Sequence, residues 1–331
     1  MPDDKQWDVI SLLKTSTAFF EDKQIDDARL TAELLLAHAL RMKRMELYLA
    51  FDRPVSQKEL ESYRALCRRR AEGEPVQYIT GEEEFFGYKF SVDRRVLIPR
   101  PETELLVEAI LSDVAAKKTL KATAENKSDL IENDDAESNL TERELKESEA
   151  QENDAEAASE LMALDIGTGS GCIAISLAKK LPQVKMIAVD ISEDALTVAA
   201  ANAGRNSVSD RIEFRRSDAL KSDFTKGFLH PFQIIVSNPP YIPQAEAGEM
   251  QKEVVNFEPH AALFTATGFE FYEKIARDAA LLLASGGRLY FELHADAAPR
   301  VEKILDANGF AGITLRKDFS GILRIASAEK S

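Results

Sequence analysis

The stretch "LDIGTGSGCIAISLAKK", residues 164–180, decides the fold. It opens with an apolar run, turns through Gly167, Gly169 and Gly171, and continues as apolar residues at helical spacing that end on two lysines. It therefore reads as strand, glycine turn and helix. Without a Cβ, glycine lets such a turn be tight and lets its backbone approach a ligand closely. The spacing is G-x-G-x-G. The dinucleotide fingerprint G-x-G-x-x-G would put its third glycine at position 172, which is Cys172. A glycine-rich turn of this kind serves several nucleotides and does not choose among them.

The chain around it keeps the same rhythm. "LMALDIG", "KMIAVDI", "RIEFRRSDA", "FQIIVSN" and "GRLYFEL" are strand-like, separated mostly by helical stretches such as "EDALTVAAANAGR". That alternation predicts an α/β fold with a doubly wound parallel sheet. Asp190 closes the strand after the glycine turn, at the separation expected of a carboxylate that binds ribose hydroxyls. A carboxylate there disfavours a 2′-phosphate, and so disfavours NADP. Asp218, at the end of the next strand, is placed to accept from an adenine amino group. Either aspartate could instead cap a helix, but glycine turn, Asp190 and Asp218 in strand order favour a nucleoside. Asp165 is expected to orient the turn or meet the ligand's amino group.

A second stretch, "FQIIVSNPPYIP" (232–243), ends a buried strand on asparagine, two prolines and a tyrosine. Strand ends in such a sheet open onto the ligand crevice. Asn238 offers a side-chain carbonyl and an NH2, while Pro239 and Pro240 present carbonyls on a stiff backbone without competing N–H groups. Two converging acceptors match a planar –NH2 group, and Tyr241 can lie against a conjugated amide or base. Amide and ring nitrogens are poor nucleophiles because their lone pair is delocalised. Holding both hydrogens on Asn238 Oδ1 and the Pro239 carbonyl would turn the lone pair toward an electrophile and stabilise positive charge growing on nitrogen. The residues alone leave the –NH2 open between an amide and a nucleobase. His230 and His260 flank the segment and are expected to be structural.

Length and composition set the frame. The chain has 331 residues, 44% hydrophobic and 30% charged, which suits one large and one smaller domain. No apolar run is long enough to cross a bilayer, and "MPDDKQWDVI" lacks the layout of a secretory signal, so the expectation is a cytoplasmic protein. Cys67 and Cys172 show no metal-ligand spacing and read as reduced thiols. The net charge is −15; residues 121–160 hold 14 acidic and 4 basic side chains, a net of −10, which leaves −5 for everything else. With no Gly, Pro or aromatic residue, that segment cannot bury enough apolar surface to offset the entropy of ordering. It reads as a mobile or loosely helical acidic spacer.

Upstream, residues 7–72 read as helices. "DARLTAELLLAHALRM" places Leu30, Leu34, Leu35 and Ala39 at helical spacing, with Asp26 or Asp27 as cap and His38 packed. "SQKELESYRALCRRR" opens with the capping-box pair Ser56 and Glu59. Its basic end, Arg64, Arg68, Arg69 and Arg70, suits a helix C-terminus or a docking face. "QYITGEEEFFGYKFSVDRRVLI" suggests a hairpin around Gly81 and Gly87, and "PRPETELLVEAIL" a helix opening at Pro101.

Together "VLIPRPETELL" (96–106), "LDIGTGSGCIAISLA" (164–178), "VSNPPYI" (236–242), "FEPHAALF" (257–264) and "DFSGILRIA" resemble the protein-(glutamine-N5) methyltransferases that modify peptide chain release factors. The resemblance covers nearly the whole chain except 118–160. It implies a seven-stranded Rossmann-like class I methyltransferase sheet, its last strand antiparallel, over residues 99–331. It also implies an N-terminal helical substrate-recognition domain (1–75), a β-hairpin linker (76–98), S-adenosylmethionine as donor, and the glutamine of a Gly-Gly-Gln loop as acceptor. By position, Gly167, Thr168, Gly169, Ser170 and Gly171 would line the methionine moiety, Asp190 the ribose, and Asp218 with Ala219 the adenine. Asn238 would sit near the donor methyl and bind the glutamine amide, with Pro239, Pro240 and Tyr241 completing the pocket and Arg100, Glu102 and Thr103 supporting it. The sequence departs from the family in its long acidic insertion and in His294, where the family commonly has glycine. Three other readings keep some of these features: an exocyclic amine of RNA or DNA as acceptor, a ribosomal-protein glutamine, against which the intact "RPETE" favours release factors by resemblance, and a non-catalytic adaptor. The first lacks a strong basic excess to hold phosphates, so no direct nucleic-acid substrate is expected.

Overall fold

The structure is a computed structural model that describes residues 6–131 and 161–331. Seven strands form the central sheet: β3 (Leu161–Ile166), β4 (Val184–Asp190), β5 (Ile212–Arg216), β6 (Phe232–Ser237), β9 (Leu283–Glu292), β10 (Phe310–Lys317) and β11 (Leu323–Lys330). Their spatial order is β10-β11-β9-β6-β3-β4-β5. The pairs β9–β6, β6–β3, β3–β4 and β4–β5 are parallel, whereas β11 runs antiparallel between β9 and β10. The expected sheet is present, last strand antiparallel; two short strands, β7 (Ile242–Pro243) and β8 (Phe264–Thr265), pair apart from it.

Side chains alternate between two cores, as the pleat requires. Ala163, Met186, Ala188, Ile234, Val236 and Tyr290 face one. Leu164, Ile187, Val189, Ile235, Leu289 and Phe291 face the other. Helices cover both faces, which is why these strands read as continuous apolar runs. Because strand order reverses at β3, the carboxyl ends of β3 to β6 surround one crevice. The register sets Ile166 beside Ser237 and Val189, and Ser237 Oγ donates to the Ile166 carbonyl at 2.7 Å.

Upstream, helices Val9–Asp22, Ala28–Leu40, Arg44–Leu49 and Gln57–Ala71 pack on their own core of Leu13, Phe20, Leu35, Leu36, Leu47 and Tyr63. Ser56 and Glu59 form the expected capping box. Three details depart from expectation. Asp27 is the N-cap of its helix but is left-handed and makes no side-chain cap bond. His38 is exposed, because Ala32, Leu35, Leu36 and Leu40 set the buried face. "VQYIT" is a helical turn, Val76–Thr80, closed by Gly81 at φ +76°, not a strand.

The hairpin follows as β1 (Glu82–Phe85) and β2 (Tyr88–Ser91). Phe86 and Gly87 both have positive φ, the two-residue turn that matches strand twist. The Phe86 N–H donates to Glu104 Oε1 at 2.6 Å, tying the hairpin to the helix Pro101–Ile131. That helix runs well beyond position 118, so the first part of the proposed spacer is helical. The expectation for 132–160 lies outside the described residues. Among the described residues no helix is long and apolar enough to cross a membrane.

Candidate active site

The glycine turn, the ends of β4 and β5, and the Asn-Pro-Pro turn line a cavity of about 380 Å³. Thr168, Gly169, Asp190, Asp218, Ala219 and Asn238 are on its wall. Each oxygen of Asp190 accepts a backbone N–H at 2.9 Å, from Gly169 and from Ser192. Asp190 is not the helix cap: Ser192 is, with its hydroxyl accepting from the Ala195 N–H. Asp190 thus braces the glycine turn at the cavity wall, and burial raises its pKa above the usual carboxylate value. Asp218 caps no helix either; it accepts from the Leu220 N–H at 2.9 Å in a local turn.

Not every glycine serves the cavity. A Cβ at Gly169 would meet nothing within 4 Å, and one at Gly167 would come no nearer than 3.9 Å, to the Asn238 carbonyl oxygen. Gly171 differs: its Cβ would lie 2.9 Å from Ile175 Cδ1 and 3.2 Å from Ala199 Cβ. Gly171 lets the helix it opens pack against Ala199 of the next helix, so its missing Cβ serves packing. Asp165 is also off the cavity. It is fully buried, accepts from Thr168 Oγ1 at 2.7 Å, and is pushed up to about 7 by burial, so it orients the turn.

Beside the cavity lies a cleft of about 430 Å³ lined by Glu102, Tyr241, Met250, Glu253, Glu292 and Arg324, among others. Leu97, Arg100, Asn238, Pro239 and Ala262 belong to both spaces, so the Asn-Pro turn is the sill between them. Asn238 Nδ2 donates to Thr103 Oγ1 at 3.2 Å, and Thr103 Oγ1 donates to Glu292 Oε2 at 2.6 Å. Tyr241 OH donates to Glu292 Oε1 at 3.3 Å. Glu258, also buried, accepts from Arg100 Nη2 at 2.5 Å and from the Ile98 N–H at 3.1 Å, closing the loop before Pro101 over the site.

Family models match the chain in two places: "PrmC N-terminal domain" over residues 11–81 and "Methyltransferase small domain" over 148–306. A release factor glutamine methyltransferase of Chlorobaculum tepidum is 46% identical over 324 residues, 98% of this chain and 98% of that protein. The enzyme of the same name from Rhodopirellula baltica is 36% identical, covering 99% and 98%. The chain belongs to the release factor glutamine methyltransferase family. A solved structure, TrmN from Thermus thermophilus, shares 26% identity over 55% of this chain and 48% of that one, with a TM-score of 0.37.

This methyltransferase uses S-adenosylmethionine as methyl donor, and the cavity residues fit it. A carboxylate at the second strand suits a ribose diol, a second acid beside Ala219 suits an adenine, and glycine backbone leaves room for the methionine. The methyltransferase also has a larger cavity of about 510 Å³ elsewhere, at the amino ends of β3 to β5. Arg211 and Arg215 on its wall are bonded to backbone carbonyls and to Glu213.

Sequence reasoning missed Glu292 and Glu258. Each is the glutamate of a quoted stretch, "GRLYFEL" and "FEPHAALF", but only folding brings them to the site. Of the motif histidines, His260 is exposed, 2.7 Å from the Val255 carbonyl and edge-on to Phe264. His230 is exposed. His294 lies against Tyr241, ring centroids 5.8 Å apart, with Nε2 3.4 Å from Glu246. Both cysteines are buried, and burial pushes Cys67 up to about 11 and Cys172 to about 12. Of the basic helix end, Arg69 pairs with Glu74, and buried Arg70 reaches Glu253 at 2.6 Å on the wall of the cleft.

Proposed function

We propose that the protein transfers the methyl group of S-adenosylmethionine to the side-chain amide nitrogen of the glutamine in the Gly-Gly-Gln motif of peptide chain release factors. The observation that carries this reading is the sill: Asn238 and Pro239 line both the donor cavity and the neighbouring cleft. Bound S-adenosylmethionine supplies an electrophilic methyl on a positively charged sulfur. The chain's residues supply the rest. Asn238 Oδ1 and the Pro239 carbonyl accept the two amide hydrogens, which turns the nitrogen lone pair toward the donor cavity and stabilises the positive charge that grows there. Pro240 and Tyr241 form the wall against which the planar amide lies. No general base has to remove a proton before the transfer; one amide hydrogen leaves as a proton to solvent water once nitrogen carries the methyl.

The rim supports a protein loop over a nucleic acid. The two arginines on the cleft wall are already paired, Arg100 with Glu258 and Arg324 with Asp318, which leaves little free positive charge to hold phosphates. Residues 1–75 are read as the part that recognises the release factor, with Arg70 joining them to the cleft through Glu253. The test is incubation of the full chain with isotopically labelled donor and purified release factor, followed by mass spectrometry of the Gly-Gly-Gln peptide. One methyl group on that glutamine is expected; an unlabelled peptide sinks the reading.

A further inference from the structure

Asn238 can hold an amide NH2 only if its carbonyl end, and not its own NH2, faces the cleft. The two ends of a carboxamide are nearly equal in size, so packing does not choose between them; hydrogen-bond partners do. Thr103 is the partner that chooses. A hydroxyl has one hydrogen to donate and lone pairs with which to accept. Thr103 gives its hydrogen to Glu292 Oε2, 2.6 Å away. Toward Asn238, 3.2 Å away on its other side, it can then only accept, and only Nδ2 can donate to it. Oδ1 is left for the substrate.

The source of this polarity is Glu292, at the carboxyl end of β9. An ionised carboxylate accepts and never donates. Its second oxygen takes the Tyr241 hydroxyl at 3.3 Å, and its backbone carbonyl takes the Tyr272 hydroxyl at 2.9 Å. Glu292 and Thr103 are each 2% exposed, so bulk water does not compete for these bonds. We propose that Glu292 is a positioning residue for methyl transfer: acting through Thr103, it fixes which end of the Asn238 carboxamide faces the substrate. This inference rests on the reading of Asn238 as the group that holds the substrate amide.

Protonation reverses the chain. With a hydrogen on Oε2, Glu292 can donate to Thr103, whose own hydrogen is then free to point at Asn238 and favour the turned-over amide. Two NH2 groups would then face each other. The groups around Glu292 are Glu102 and Thr103 on the helix from Pro101, Tyr241 in the Asn-Pro-Pro-Tyr turn, Tyr272 on the helix Glu270–Leu282, Arg324 on β11 and the Cys172 thiol. Burial pushes Glu292 up to about 7, with Glu102 adding to the rise and Thr103, Tyr241 and Arg324 opposing it. The ionised, working form is therefore present above about pH 7 and lost as pH falls through it.

The test measures turnover, donor affinity and pH profile on the full chain with release factor. Thr103→Val is expected to lower kcat by roughly 10- to 100-fold, as loss of one positioned hydrogen bond does, with donor affinity changed by less than about threefold. Thr103→Ser is expected to recover most of that loss. Because Thr103 acts through Asn238, the double variant Thr103→Val/Asn238→Ala should be no slower than Asn238→Ala within about twofold. Glu292→Gln cannot titrate, and should lose the acid limb of the wild-type profile. Should Thr103→Val fail to fold, that profile carries the test. Losses that multiply in the double variant, or an acid limb that survives in Glu292→Gln, overturn the inference while leaving the role of Asn238 intact. Wild-type turnover in Asn238→Ala overturns the reading beneath it and this inference too.

Discussion

The glycine turn and the Asn-Pro turn meet at one cavity, but they are braced over different lengths of chain. The polar bonds of the glycine turn are local: Thr168 reaches back 3 residues to Asp165, and Gly169 and Ser192 lie 21 and 2 residues from Asp190. Those that brace the Asn-Pro turn and the loop before Pro101 span most of the domain. Asn238 and Thr103 are 135 residues apart, Thr103 and Glu292 189, Ile98 and Glu258 160. A strand–turn–helix unit can shape a nucleoside site from one stretch of sequence. A site that must hold a planar amide at a fixed angle needs acceptors braced from several elements, and those elements come together only when the sheet forms.

This difference can be broken most sharply at the sill. Asn238→Ala is expected to lower kcat by about 10²- to 10³-fold, the scale of losing one preorganised charge-stabilising group, while donor affinity changes little. Comparable losses in both quantities would mean that cavity and cleft are not separable there. Next comes Asp190→Ala, which removes a carboxylate that both braces the glycine turn and faces the ribose position. Donor affinity should fall by roughly 10- to 100-fold, from the usual strength of hydrogen bonds to a charged group. Turnover at saturating donor should stay within a few-fold of wild type. Calorimetric titration of the donor, set beside initial rates, checks both variants.

A stability measurement separates packing from ligand contact at Gly171. With φ at +81° and a Cβ that would meet Ile175 at 2.9 Å, Gly171→Ala should cost about 1–3 kcal/mol in chemical denaturation. Donor affinity in the folded fraction should suffer less than in Asp190→Ala; the reverse order would return Gly171 to the ligand.

The smallest effect concerns pH. Burial pushes Asp165 up from an ordinary carboxylate value to about 7. A folded-state pKa raised above the unfolded one stabilises the fold at low pH, and that contribution is lost as pH rises through about 7. Asp165→Asn should therefore flatten the fall in melting temperature between pH 5 and pH 8, by a few degrees at most. An unchanged slope would mean that Asp165 stays ionised throughout.

Much of the fold was legible because the strands are buried on both faces and the glycine turn is unambiguous. Asp190 and Asp218 stand where strand ends place them, and the Asn-Pro-Pro-Tyr segment opens onto the crevice as its prolines require. The errors have physical causes. "VQYIT" carries β-branched and aromatic residues, yet it folds as a helical turn because Gly81 closes it and Tyr78 OH donates to the Val96 carbonyl at 2.6 Å. Gly171 looks like its two neighbours in sequence, but only the helix packed against it shows that its missing Cβ makes room for Ala199.

The sequence by itself determined the doubly wound sheet, the glycine turn at its carboxyl edge and the presence of a rigid Asn-Pro-Pro turn. These depend on periodicity, backbone freedom and proline chemistry, all of which act over a few residues. Only the tertiary structure decided that Glu258 clamps Arg100, that Glu292 stands behind Thr103, and that Arg70 of the helical region reaches the cleft. A carboxylate in a sequence carries no mark of its partner. Burial and hydrogen bonding select its role, and both are set by which distant segments the folded sheet brings into contact.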